Sequence, residues 1–148
     1  MENMKLQLKH LAPYLAYGLK MQFIIRDVVE KTGTLTRITH DQELTHPTKI
    51  AIDYDDSEHI WMFKSILRPM SDLVKEDFLN LYYQAVDEKT DDSWLLEAIE
   101  GGHNFIYADF QNLTYRSISF LFEHHFDVFG LIDAGLAIDI NTIQPCNK

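Results

Sequence analysis

His124, His125 and Asp127 are the residues whose types and spacing come closest to chemistry. Three residues apart, His124 and Asp127 share a face if the segment is helical. Imidazole and carboxylate can both ligate zinc and can both move protons. Asp133 and Asp139 follow within reach of a folded tail. A zinc centre needs three or four converging ligands; the helix supplies two, and no downstream His or Cys pair completes the set. His125 falls on the apolar side of the segment, where a neutral imidazole bonded to a backbone carbonyl is the ordinary arrangement. A small metal-dependent hydrolase using His124 and Asp127 is therefore the alternative function. It requires those groups to meet in a concave pocket.

Other motifs carry less. Asp53-Tyr54-Asp55-Asp56-Ser57-Glu58 suggests calcium, but with Asp53 as the first loop position Glu58 falls where glycine is needed. Lys64 then falls where a bidentate glutamate is needed, so a solvated turn is expected. Cys146 has no recognisable activating partner. No serine sits in a nucleophile elbow. Gly101-Gly102 lacks the spacing and the lysine of a phosphate loop. No catalytic, cofactor-binding or metal residue is assigned. Residues 71–100 carry a net charge of −7, which either solvates a surface or presents an acidic decoy to a DNA-binding protein. Trp61, Trp94, Tyr82, Tyr83, Tyr107 and Phe110 could serve a partner surface or a core.

The element that must position the histidines is the segment from Tyr115 onward. Ile118, Phe122, His125, Phe129 and Ile132 recur at helical steps. Phe120, Leu121, Phe126, Val128 and Leu131 widen that face, so the helix is expected to be buried on most sides. Thr114 is its predicted N-cap, and Gly130 or Gly135 its stop. Leu136, Ile138 and Ile140 then alternate with polar or small residues, which reads as a short strand or extended tail.

Upstream, Leu6, Leu8, Leu11 and Leu15 suggest a brief helix limited by Pro13. Leu19–Val29 alternates as a first strand, Glu30–Gly33 reads as a turn, and Thr34–His40 as the returning strand. Lys49–Tyr54 and His59–Arg68 are predicted strands three and four. Four strands with short links favour an antiparallel sheet, since parallel neighbours need long crossovers. Helices are predicted from Ser71 or Asp72 to Val86 and over Trp94–Glu100, and 103–113 reads as irregular. The fold class is α+β in a single domain over 1–148: an N-terminal antiparallel sheet of about four strands packed against a C-terminal helical part.

The chain of 148 residues is 46% hydrophobic and 12% aromatic, enough for a real core. No strictly apolar run exceeds four residues, so no membrane span is expected. One cysteine forms no internal disulfide, and cytoplasmic residence is expected. The net charge of −10 disfavours direct nucleic-acid binding by a broad electrostatic surface. It is unevenly placed, because residues 1–50 are net +2.

Two stretches resemble small uncharacterised proteins encoded in bacterial prophages and related mobile elements. They are Ile66-Leu67-Arg68-Pro69-Met70-Ser71-Asp72-Leu73 and His125-Phe126-Asp127-Val128-Phe129-Gly130-Leu131-Ile132, continuing through Gly135-Leu136-Ala137-Ile138-Asp139-Ile140-Asn141. His10–Leu15 and Tyr17–Leu19 share the likeness. It implies a phage or prophage setting and brings no activity, cofactor or site residue. The leading expectation is a non-enzymatic accessory protein acting through protein–protein contact, with a protein partner or self-association.

Overall fold

Arg26 and Asp27 both adopt the left-handed backbone conformation, with φ of 50° and 63°. A two-residue loop of that kind matches the twist of a hairpin and folds β1 (Lys20–Ile25) directly onto β2 (Val28–His40). The computed structural model describes residues 5–43, 48–85, 93–102 and 113–143. In it, Ile25 pairs with Val28 and Lys20 with Thr34, so β1 is matched along its whole length. The turn expected at Glu30–Gly33 is therefore inside β2. Gly33 makes room there for the Asp53 carboxylate, which accepts the Thr34 N–H at 2.9 Å and which an added Cβ would force to shift.

β2 serves two neighbours. Its first half pairs with β1, and its second half pairs with β3 (Thr48–Ile52), from Leu35 opposite Ile52 to His40 opposite Thr48. The predicted fourth strand divides. β4 (Glu58–His59) pairs with β3, a 3-10 turn spans Ile60–Met62, and β5 (Phe63–Leu67) pairs with β1. The division follows from a local switch to period three. Ile60 and Phe63 are both buried while Trp61 between them is exposed. The turn touches both β1 and β3, so the five strands curl towards a small barrel lined by Met21, Leu35, Ile50 and Phe63.

The sheet has six strands rather than four, in the order β4-β3-β2-β1-β5-β6. It is mixed, because β6 (Ala137–Asp139) lies parallel to β5, with Ile66 opposite Ile138. Strands are thus not confined to the N-terminal part. The tail strand predicted from Leu136–Ile140 is present. The parallel crossover is long enough because it contains the helices Glu76–Ala85, Ser93–Glu100 and Tyr115–Glu123.

Helices α1 (Leu8–Leu11), α2 (Glu76–Ala85), α3 (Ser93–Glu100) and α4 (Tyr115–Glu123) complete the described elements. Leu6, Leu11 and Tyr14 bury the N-terminal segment, while Leu15 stays exposed. The helix expected from Ser71 begins instead as a 3-10 turn, Met70–Val74; extended backbone at Lys75 separates it from α2. The polar loop around His46-Pro47, the acidic connection 87–92, the irregular stretch 103–112 and Cys146 lie outside the described residues. No described helix is long and apolar enough to cross a membrane.

Thr114 caps α4 as predicted, its hydroxyl accepting the Ser117 N–H at 3.4 Å. That bond is long. Thr114→Ala is expected to cost about 0.5–1 kcal/mol, the lower part of the range for such caps, measured by urea denaturation.

Candidate functional site

The predicted helix stops before it can present its histidines together. α4 ends at Glu123, and His125 turns the chain with φ of 61°. The backbone then docks beside the end of β5. The Arg68 N–H donates to the His125 carbonyl at 2.8 Å, and the Asp127 N–H donates to the Arg68 carbonyl at 2.8 Å. Phe126, Val128 and Leu131 are fully buried, so the aromatic-rich segment is an interior scaffold, though only its first part is helical. Neither Gly130 nor Gly135 ends the helix. The reversal at His125 lets Phe126 reach Phe78 and Phe120, with ring centroids 5.5 and 6.4 Å away.

Each candidate reagent has its own structural partner. His124 packs on the Phe120 ring at 4.3 Å. His125 Nε2–H donates to the Tyr17 carbonyl at 2.7 Å. Asp127 accepts the N–H groups of Leu131 and Ile132 at 2.8 and 2.9 Å, capping the loop that follows. Burial pushes the Asp127 carboxyl above its ordinary range, although those two N–H groups pull it back. Above it, the Tyr14 hydroxyl donates to the Phe126 carbonyl at 2.5 Å and accepts the Val128 N–H at 3.3 Å. Among the described residues, no three His, Cys, Asp or Glu side chains converge on a position that could hold a metal. His124 and Asp127 do not share a helical face, because the helix ends between them. Asp139 is also committed locally, accepting the Asn141 N–H at 2.8 Å.

Burial lowers the pKa of His125, more than its bond to Tyr17 raises it, and burial likewise lowers that of His10. His10 Nδ1 accepts the Gln7 N–H at 3.0 Å, a role only the neutral ring can fill. The unfolded chain therefore takes up protons first. Stability from these two residues is present above about pH 6.5 and declines as pH falls below it. Denaturation midpoints at pH 7.5 and 5.5 should show that decline, and His125→Gln should flatten part of it.

The calcium-like run Asp53–Glu58 is a solvent-facing turn. Asp53 and Tyr54 are both left-handed, and Lys31 binds Asp55 directly and lies 3.7 Å from Asp53. Of the nine acids in 71–100 behind the decoy reading, the four in 87–92 lie outside the described residues, and Asp72 is buried and bound to Lys75 at 2.7 Å. Within α2, Glu76 and Asp77 open the first turn, where carboxylates offset the helix dipole.

The larger concavity lies elsewhere. A groove of about 1130 Å³ runs between the N-terminal segment, the β1–β2 turn and the start of β5. Its floor is apolar, built from Leu6, Ile24, Ile60, Met62, Phe63 and Leu136. Its rim is cationic: among the described residues, Lys5, Lys9, Arg26 and Lys64 stand against one acid, Asp27. Those four cations are exposed, and among the described residues none makes an ion pair. Trp61 stands at the rim 65% exposed, stacked on the His59 ring at 5.8 Å and 10°. At the far end His40 Nδ1 and the Thr48 hydroxyl share a 2.7 Å hydrogen bond.

Sequence reasoning missed this groove. Its cations come from three separate elements, and their one local trace is the net +2 of residues 1–50. Trp61 appeared only as one of six unassigned aromatics. The described lining residues of the groove include no paired carboxylates, cysteine or serine. Comparison with protein families, with curated proteins and with solved structures finds no match to this chain.

Proposed function

We propose that this chain is a non-enzymatic accessory protein that works through protein–protein contact, with the groove beside Trp61 as its contact site. The observation that carries the reading is one of assignment. The chemically capable side chains at 124–127 are engaged in holding the fold, while an apolar floor, four cations with no ion pair among the described residues and an exposed tryptophan surround an open groove. Partner surfaces are enriched in Trp and Arg around apolar centres. The likeness of Ile66–Leu73 and His125–Asn141 to prophage-encoded proteins supports a mobile-element setting, and cytoplasmic action fits the single cysteine.

The test uses two baits, the natural chain and Trp61→Ala/Ile24→Asp. A partner identified on the natural bait, purified and shown to bind it directly, should bind the double variant at least about tenfold more weakly. Equal binding to both baits, or a strictly monomeric chain that no purified candidate engages, would remove the groove from its role.

A further inference from the structure

We infer that the groove takes an extended segment of a partner protein in which apolar residues alternate with carboxylates. This rests on the contact reading above and specifies the chemistry of its occupant. The chain carries 13 basic and 23 acidic side chains, yet the described residues lining the groove invert that balance to four against one. Lys5 and Lys9 come from the N-terminal segment, Arg26 from the β1–β2 turn, and Lys64 from β5. Convergence of separate elements on one rim is not the pattern of a solvated helix face. None of the four pairs with an acid among the described residues, so they are available to an incoming anion.

The floor decides what kind of anion. A segment with side chains alternating along an extended backbone can put one row onto Ile24, Ile60 and Met62 and offer the other row to the rim. A free inorganic anion would leave the floor wet. A nucleic-acid strand would extend past the groove into the field of a chain carrying −10, and among the described lining residues it would find Trp61 as the one exposed aromatic rather than a succession of stacking platforms. A short acidic segment confines its charge to the cationic rim. The reach of that attraction is about one Debye length, so binding must be salt-sensitive.

Fluorescence anisotropy of short labelled peptides tests this on the full chain. The set alternates leucine with aspartate, leucine with serine, leucine with lysine, and glycine with aspartate; an oligothymidylate is a fifth ligand. The leucine–aspartate peptide should bind at least about tenfold tighter than each of the others and lose most of that margin at high salt. Lys5→Glu/Lys64→Glu should reverse the order, so that the leucine–lysine peptide binds best. A gain of that kind cannot come from misfolding. Equal, salt-insensitive binding of all leucine peptides would overturn the acidic occupant while leaving the groove as a contact site. Tighter binding of the oligothymidylate would overturn it in favour of nucleic acid. Failure of every ligand on a chain whose partner loss with Trp61→Ala/Ile24→Asp has been shown would overturn the occupant alone; failure of both would end the contact reading as well.

Discussion

Tyr14→Ala is expected to lower the unfolding free energy by about 4 kcal/mol, the range for truncating a fully buried aromatic side chain. Tyr14 is completely buried and meets Phe122 and Phe129 edge-on at 5.0 and 6.4 Å. Its hydroxyl also joins the N-terminal segment to the crossing at Phe126–Val128, residues 112 and 114 positions away. Removing the ring therefore opens a cavity and unties the two ends of the core together. Tyr14→Phe should cost only about 1–2 kcal/mol. The Val128 N–H and the Phe126 carbonyl would still meet each other at 2.9 Å, so neither is fully stranded. Guanidinium denaturation of the two variants separates the packing loss from the hydrogen-bond loss.

Asp127→Ala is the second large effect, expected at about 2–4 kcal/mol. It leaves the Leu131 and Ile132 N–H groups without their acceptor in a largely dry site, and each such orphan costs about 1–3 kcal/mol. Asp127→Asn keeps one acceptor oxygen and should lose roughly half as much. The two variants also carry a pH signature. Because burial raises the carboxyl pKa, the folded state holds this proton more firmly than the unfolded state does. The contribution of Asp127 is therefore greatest at low pH and declines as pH rises from the ordinary carboxyl value through the raised one. Asp127→Asn should lack that decline. The histidine effect has the opposite sign and a higher window, so the two are separable. A catalytic role for Asp127 would instead leave stability nearly unchanged.

Local patterns predicted some elements well. Alternation marked β1 and β3, the Leu95 and Ile99 spacing marked α3, and Thr114 marked the start of α4. What they could not mark was the partner of each strand. His59–Arg68 carries a continuous run of β-forming residues, but its two halves serve opposite sides of a curled sheet. Only the burial of Ile60 and Phe63 around an exposed Trp61 shows the break. The hairpin turn was misplaced because Arg26-Asp27 lacks the usual Gly or Asn, whereas Gly33 looked like a turn residue. Gly33 answers to Asp53, nineteen positions from the Thr34 amide that the same carboxylate caps.

The end of α4 was hidden for a related reason. From Phe126 to Phe129 every side chain is buried, though none of the four is helical. A segment enclosed on all sides carries no periodicity from which to read its backbone. The stop residue is His125, which takes φ of 61° because its ring bond to Tyr17 and its carbonyl bond to Arg68 fix it there. The candidate metal site dissolved with that turn. The groove was illegible for the converse reason, since the Lys5–Lys9 pair, Arg26 and Lys64 are far apart in sequence and meet only through the path of β1, β5 and the N-terminal segment.

On the reading proposed above, the histidine-bearing segment from Phe120 to Ile132 holds the fold and contact belongs to the cation-rimmed groove. Native-state amide hydrogen exchange measures it directly. The amides of Phe126, Asp127 and Leu131, bonded at 2.8 Å to Leu121, Arg68 and Asp127, should exchange among the slowest in the chain, at the rate of global unfolding. Exchange of those three amides at the rate of open surface loops, in a chain still folded by its β1–β2 amides, would contradict it.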